Sequence, residues 1–220
     1  MKQRLHEKIA VVYEDSDVIV IDKAPGVLSY PVEGRRDEAA IQLIRRYWKA
    51  RGLGNQNLYL LHRLDEATSG LMIYAKTTLA REALKSQFDE HTVLRSYVAV
   101  TWGIPKKGHG EIRTMLGRDV RGRRAVTLRG REALTHFEVL SRNPQRNRSL
   151  VRCRLHTGRT HQVRIHLAHL DAPVLGDTLY GTKNHGRLML HAEALGFHHP
   201  RSGRVLVFRT PMPRGFRHAL

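Results

Sequence analysis

The sequence predicts an α+β fold, and three observations lead there. Short apolar runs rich in Val and Ile are bounded by turn residues, as strands are. Other stretches repeat apolar residues three and four positions apart, as helices do. The two kinds are mixed without the regular strand–helix alternation of a doubly wound sheet. With 220 residues, the chain fits one domain or two closely packed halves, and can bury a sizeable core. No repeat, low-complexity tract or long Pro/Gly/Ser linker divides it.

Residues 9–13 (IAVVY) and 18–22 (VIVID) read as two short strands around Glu14-Asp15-Ser16-Asp17. Lys23-Ala24-Pro25-Gly26 forces a further turn through the fixed φ of Pro and the permissive Gly. The spacing of Ile41, Ile44 and Trp48 predicts a helix over 38–50. A second helix is expected at about 78–90, capped by Thr77 or Thr78, with Leu79, Ala83, Leu84 and Phe88 inward. Residues 93–102 (VLRSYVAVTW) read as a strand, and 108–155 as mostly short strands. In SLVRCRLH (149–156), Val151, Cys153 and Leu155 alternate with Arg152, Arg154 and His156, which makes Cys153 a buried hydrophobe rather than a nucleophile. Thr160 is positioned to cap a helix carrying Val163, Leu167 and Leu170 inward, with Arg164 at the edge of that stripe and Pro173 as its stop. Residues 187–208 close the chain as two or three strands.

The charge narrows the partners. Thirty-eight Lys and Arg against 20 Asp and Glu give +18 before the 14 His are counted. Such self-repulsion is tolerable where a polyanion is a regular partner, and nucleic acid fits through phosphate contacts. An anionic membrane is the rival, but no basic amphipathic anchor and no apolar run near ~20 residues is present. Seven arginines lie in RTMLGRDVRGRRAVTLRGR (113–131), broken by Gly117, Gly122 and Gly130. They form either a solvated hairpin or a basic arm, with Arg121, Arg123 and Arg124 at its centre, that grips RNA phosphates. Cys153 is the single cysteine, so an intrachain disulfide and a Cys-based zinc site are excluded. The start of the chain lacks the apolar core of a signal peptide, and a cytoplasmic location is expected. His161, His166 and His169 are the densest histidine group, with spacings unlike zinc motifs, so no metal is expected.

There is no P-loop, GxGxxG, paired-His zinc motif or GxSxG elbow, which points to chemistry by side chains alone, without a cofactor. The candidate is Asp65, in YLLHRLDEATSGLMIYAKT (59–77), between the apolar runs 59–61 and 71–75. A carboxylate there can cap the turn through the Thr68 or Ser69 amides, join a salt bridge, or react. A reacting carboxylate attacks an electrophilic carbon, stabilises an oxocarbenium-like sugar or moves a proton, and needs a cation nearby to stay ionised in a partly dry site. Arg63 and Arg164 are the candidate cations. Local pattern leaves these readings open.

HRLDEATSG (62–70) resembles the HRLDxxTSG signature of the RluA-type pseudouridine synthases. VIVIDKAPGVLSYP (18–31), RSYVAVTWG (95–103), TGRTHQVRIHLAHLDAPVLGDTLYG (157–181) and LMLHAEAL (188–195) resemble further blocks of that family in the same order. The resemblance implies a single catalytic domain over 1–220, with a mixed, mainly antiparallel central sheet in two halves flanked by helices and an active cleft between them. It implies that Asp65 is the catalytic carboxylate acting on a flipped-out uridine, which detaches, rotates and rejoins the ribose through C5. Tyr97 corresponds to the tyrosine that stacks on the base and takes part in proton removal at C5, and Arg164 to the basic residue paired with the aspartate. Arg63 corresponds to the arginine that fills the space of the flipped base, and Leu190 to an apolar lining residue. His62 is expected to hold the turn by hydrogen bonds. Flipping costs a few kcal/mol, and stacking on an aromatic ring recovers part of it.

Two departures are visible. Arg95 stands where the family often has Lys, and Asp22-Lys23-Ala24-Pro25-Gly26 stands where it more often has Asn-Lys-Pro. About 17 residues precede the first matching block, too few for the small additional RNA-binding domain of many relatives, so the minimal branch is expected. The implied activity is uridine isomerisation in a stem-loop of tRNA or large-subunit rRNA, by a monomer without metal or organic cofactor. The rivals are a non-catalytic RNA-binding or RNA-folding protein on the same scaffold, and hydrolysis of an N-glycosidic bond.

Overall fold

The computed structural model describes residues 3–54, 56–181 and 186–220. They form two compact units, one of residues 1–93 and 194–210, the other of residues 94–193 and 211–220. Among the described residues no helix is long and apolar enough to cross a membrane.

The first unit begins with strands β1 (Gln3–His6), β2 (Ile9–Glu14) and β3 (Val18–Lys23). Helix α1 (Ala40–Ala50), strands β4 (Tyr59–Leu60) and β5 (Ser69–Ala75), and helix α2 (Thr78–Asp89) follow. The order β1-β2-β3-β5 is antiparallel throughout, with β4 paired to the end of β5 at Tyr59↔Ala75. The expected core strand at 59–61 is only this two-residue piece, partly exposed, whereas every residue of β5 is buried. Val18, Val20, Leu71, Ile73, Ala80, Leu84, Leu195 and Phe197 pack into one apolar cluster.

Both predicted helices of this unit form. In α1 the inward residues are Ala40, Leu43, Ile44 and Trp48, and the Trp48 Nε1–H donates to Glu14 at 2.8 Å. In α2 the Thr77 hydroxyl accepts from the Ala80 amide at 3.1 Å, the N-cap read from sequence. The buried stripe is rotated, however. Ala80 and Leu84 are fully buried, whereas Leu79 is 52% exposed. One residue is ~100° of helix, so seating Ala80 against the sheet turns Leu79 to solvent.

The second unit contains β6 (Leu94–Trp102), β7 (His109–Arg118), β8 (Arg124–Val126), β9 (Arg131–Asn143) and β10 (Arg148–Leu155). These are antiparallel in the order β6-β10-β9-β7-β8. Strands β7 and β9, of 10 and 13 residues, are long rather than short. The glycines that looked like breakers are mostly close approaches instead. A Cβ on Gly117, inside β7, would lie 2.5 Å from Thr127 Oγ1, and one on Gly130 would lie 2.6 Å from the Leu116 backbone. Gly122 alone of the three turns the chain, at φ +76°. Cys153 is buried as expected, and burial pushes its thiol up to about 12.

Helix α3 (Gln162–His169) starts one residue later than a cap at Thr160 would place it, with His161 at the N-cap in the left-handed region, φ 59°. It ends before Pro173. Asp171 takes φ 56°, its amide donates to Ala168 O at 3.1 Å, and the Ala172 amide donates to Leu167 O at 3.0 Å. That pair of bonds closes the helix as a Schellman cap with Asp in place of Gly. Every residue from Gln162 to Leu167 is buried, so the helix has no polar face. Its polar side chains are therefore bonded inside: Gln162 Nε2 donates to Leu134 O (3.0 Å) and Thr135 Oγ1 (2.9 Å), and His166 sits between Thr135 Oγ1 (2.8 Å) and Thr114 Oγ1 (3.0 Å).

Strand β11 (Leu190–His198) starts in the second unit and ends in the first, where it pairs antiparallel with β12 (Val205–Arg209). The chain then returns to the second unit as α4 (Arg214–Ala219). Asn143, Arg146 and Arg148 donate to the carbonyls of Leu220, His218 and Ala219, capping its C-terminal end with two cations.

Candidate active site

The proposed residues fall in both units. Arg63 and Asp65 belong to the first, and Tyr97, Arg164, Leu190 and the arginine arm to the second. Each group is described within its own unit.

Asp65 is half-buried on the loop between β4 and β5. Its backbone carbonyl accepts from the Thr68 amide at 3.0 Å, closing the turn before β5. The loop is fastened on either side of Asp65. Ser29 Oγ donates to Leu64 O (2.8 Å) and accepts from Leu64 N (3.2 Å), and Tyr74 O–H holds the Ser29 carbonyl at 2.8 Å. On the other side, the Gly26 amide donates to Glu66 O at 2.8 Å. The fully buried Lys23 ammonium donates to the carbonyls of Val27 (2.8 Å), Ala24 (3.1 Å) and Glu66 (3.1 Å). His62 Nε2 accepts from the Ile73 amide at 3.1 Å, and its ring stacks on Phe88, so it ties the loop to β5 and α2 as expected. The result is a loop whose backbone is held on both sides of Asp65. Lys23 and Ser29 carry no catalytic signature; the only sequence hint was their place in the KAPGVLSYP block.

Arg63 is exposed, its guanidinium 5.0 Å from the Tyr30 ring centroid and bonded to the Tyr30 hydroxyl at 2.7 Å. An aromatic face thus holds a flexible cation in one position.

In the second unit, Tyr97 lies in the middle of β6, 8% exposed and in register with Cys153 of β10. Arg164 is 7% exposed, buried rather than at a stripe boundary. It forms a two-pronged ion pair with Asp177, Nε to Oδ2 at 2.7 Å and Nη2 to Oδ1 at 2.8 Å, and lies 5.2 Å from the Tyr180 ring centroid. Burial pushes the Asp177 carboxyl up, but the Arg164 guanidinium with the Leu179 and Tyr180 amides more than offsets this, leaving it below its ordinary value. Asp177 was not singled out from sequence. It stands in the VLGD run of the third motif, 13 residues from its partner, beyond local pattern. Leu190 opens β11 at 3% exposure.

Arg121 and Arg123 lie in the β7–β8 connection, and Arg124 opens β8. Asp119 accepts from the amides of Arg121 (2.9 Å) and Arg123 (2.8 Å) and pairs with Arg123 Nε at 3.0 Å. One carboxylate thus orders a tip on which Arg121 and Arg123 remain exposed.

Among the described residues, Asp15, Asp17 and His199 bring potential metal-ligating atoms within 4.8 Å of one another. These atoms are already engaged. Asp15 accepts from Tyr13 O–H (2.7 Å) and two backbone amides and meets His199 Nε2 (2.8 Å), while Asp17 is held on both oxygens by Arg201. A guanidinium in the place of a cation makes this a clamp between two turns rather than a metal site.

The comparisons with known proteins agree with one another. Residues 17–169 match the family model described as RNA pseudouridylate synthase. An uncharacterised RNA pseudouridine synthase of Bacillus subtilis, YlyB, is 38% identical over 92% of this chain and 69% of its own length. Ribosomal large subunit pseudouridine synthase D of Zymomonas mobilis is 35% identical over 94% and 70%. Two human structures, RNA pseudouridylate synthase domain containing 1 and 4, superpose with TM-scores of 0.77 each, at 26% and 24% identity, over 95% of this chain and 85% and 90% of theirs. The chain belongs to the RNA pseudouridylate synthase family, with its α+β fold, and is an isomerase.

Proposed function

We propose that this protein converts specific uridines of a structured RNA to pseudouridine, with Asp65 as the catalytic carboxylate. The observation that carries the assignment is the fastening of Leu64 and Glu66 by Ser29, Gly26 and Lys23, which fixes the backbone around one half-buried acid. Turn capping alone has no need of so many buried bonds. Tyr97 stacks on the flipped base and takes part in proton removal at C5. Arg164, oriented by Asp177, supplies the cation that keeps the reacting carboxylate ionised. Arg63 leaves Tyr30 to fill the space of the flipped base, and Leu190 lines the pocket. The arm carrying Arg121, Arg123 and Arg124 grips phosphates. The reaction needs neither metal nor organic cofactor, and the protein acts as a cytoplasmic monomer. Relatives named for the ribosomal large subunit favour rRNA over tRNA as target.

The test is pseudouridine mapping across rRNA and tRNA in cells with and without the protein, followed by rescue with Asp65→Asn. Removing a reacting acid costs about 10²–10⁴ in rate, so the missing sites stay missing while RNA binding persists. Full restoration by Asp65→Asn overturns the catalytic assignment. Release of free uracil in place of isomerisation establishes glycoside hydrolysis instead.

A further inference from the structure

Beside Tyr97 the second unit holds three arginines whose positions form a chain. The Arg95 guanidinium is buried, 7% exposed, and its Nη2 donates to the His156 carbonyl at 2.6 Å. It lies so close to the next loop that a Cβ on Gly158 would stand 2.5 Å from its Nη1. The following residue is Arg159, half-buried, whose Nε donates to the Glu132 carbonyl at 2.9 Å. The residue before Glu132 is Arg131, exposed at the start of β9. The Arg95 guanidinium thus lies against Gly158, the residue before Arg159, and the Arg159 guanidinium is bonded to Glu132, the residue after Arg131. The loop between them is stiff: Gln162 Oε1 accepts from Thr157 Oγ1 (2.8 Å) and from the Arg159 amide (2.9 Å).

Like charges in such a row oppose one another. Burial holds Arg95 below its ordinary value, Tyr97 raises it and Arg159 lowers it again; burial and then Arg131 lower Arg159, which Glu132 raises. The Glu132 carboxylate is itself bonded to Arg113, which also pairs with Glu111. A row of cations with increasing burial, backed by a rigid glycine-containing loop, suits an anionic chain that enters from solvent.

We infer that Arg131, Arg159 and Arg95 form a phosphate track that takes consecutive phosphodiesters of the RNA strand on the side of Tyr97. The inference rests on the synthase reading for what the strand delivers, and adds a site separate from Arg121, Arg123 and Arg124. Gly158 belongs to the track because any side chain there displaces the Arg95 guanidinium.

The test uses the full chain carrying Asp65→Asn, so that no turnover intrudes, and a fluorescein-labelled RNA stem-loop with uridines in its loop. Binding is measured against salt. Each phosphate contact contributes about 0.7–0.9 to the slope of log affinity against log salt. Arg159→Gln and Arg131→Gln each lower that slope by about 1, Arg159→Lys leaves it near the parent value, and Arg45→Gln, an exposed arginine on α1, leaves it unchanged. In the active chain Arg159→Gln raises KM more than it lowers kcat. Slopes for Arg159→Gln and Arg131→Gln equal to the parent, or lowered no more than by Arg45→Gln, overturn the track. Arg131→Gln, at an exposed position, serves where Arg159→Gln does not fold. Failure of the synthase reading appears separately, as unchanged pseudouridine in the mapping experiment.

Discussion

Replacing Ser29 by Ala removes one hydroxyl and should disturb both stability and turnover. Ser29 is 4% exposed and bonds both backbone groups of Leu64, itself 3% exposed, at 2.8 and 3.2 Å. Each bond is worth about 1 kcal/mol net, and leaving a buried partner unmade costs ~1–3 kcal/mol, so the loss is about 2–4 kcal/mol. With a urea slope of about 2 kcal/mol/M, the midpoint falls by ~1–2 M. Leu64 precedes Asp65, so the freed loop lets the carboxylate wander. A misplacement of about 1 Å costs up to ~10² in rate, and kcat should fall ~10–100-fold with KM nearly unchanged. Turnover is read with RNA tritiated at C5 of uridine, because C5 gives up its hydrogen when it becomes the glycosidic carbon. A variant with lowered urea midpoint and full kcat refutes the positioning role, and one with both parameters unchanged refutes the clamp altogether.

Two further outcomes follow from buried polar groups. Burial holds His166 down to about 4, with His169 adding to the effect, so the folded protein keeps it neutral where an unfolded chain protonates it. The sign is that of a depressed histidine: stability is full above pH ~6.5 and falls by about 2–3 kcal/mol towards pH ~4, and urea midpoints for His166→Asn should flatten that decline. Thr77→Ala removes the α2 cap and a 3.2 Å bond to Asp17 Oδ1, and should lower unfolding free energy by about 1–2 kcal/mol in urea melts.

Local pattern located the elements whose burial alternates or repeats simply. Strands β2, β3, β6 and β10 and helices α1 and α2 lie within a residue or two of where Val, Ile and the Thr77 cap place them. It failed where tertiary contacts decide. Gly117 and Gly130 look like breakers but make room for Thr127 and Leu116, so β7 and β9 run longer than the glycines suggest. In α3 the sequence showed only the inward stripe Val163, Leu167 and Leu170 with Arg164 at its edge, but Gln162 and His166 find partners on β9 and β7, so Gln162 to Leu167 are all buried. At the site, Asp65 was visible as an anomaly, but choosing between cap and acid needed the family blocks. Ser29 and Leu64 lie 35 residues apart and Arg164 and Asp177 13 apart, so neither pairing has a local signature.

The return of the chain to each unit has a consequence for synthesis. The apolar cluster of the first unit needs Leu195 and Phe197, which follow Val93 only after about 100 further residues. At ~5–20 residues per second, a nascent first unit waits roughly 5–20 s with Val18, Val20 and Ile73 uncovered by those partners. The second unit in turn receives α4 last of all, after β12 has been made. Neither half can finish before residues 194–220 are made, so chaperone occupancy during translation should depend on the final 30 residues more than on the first 90.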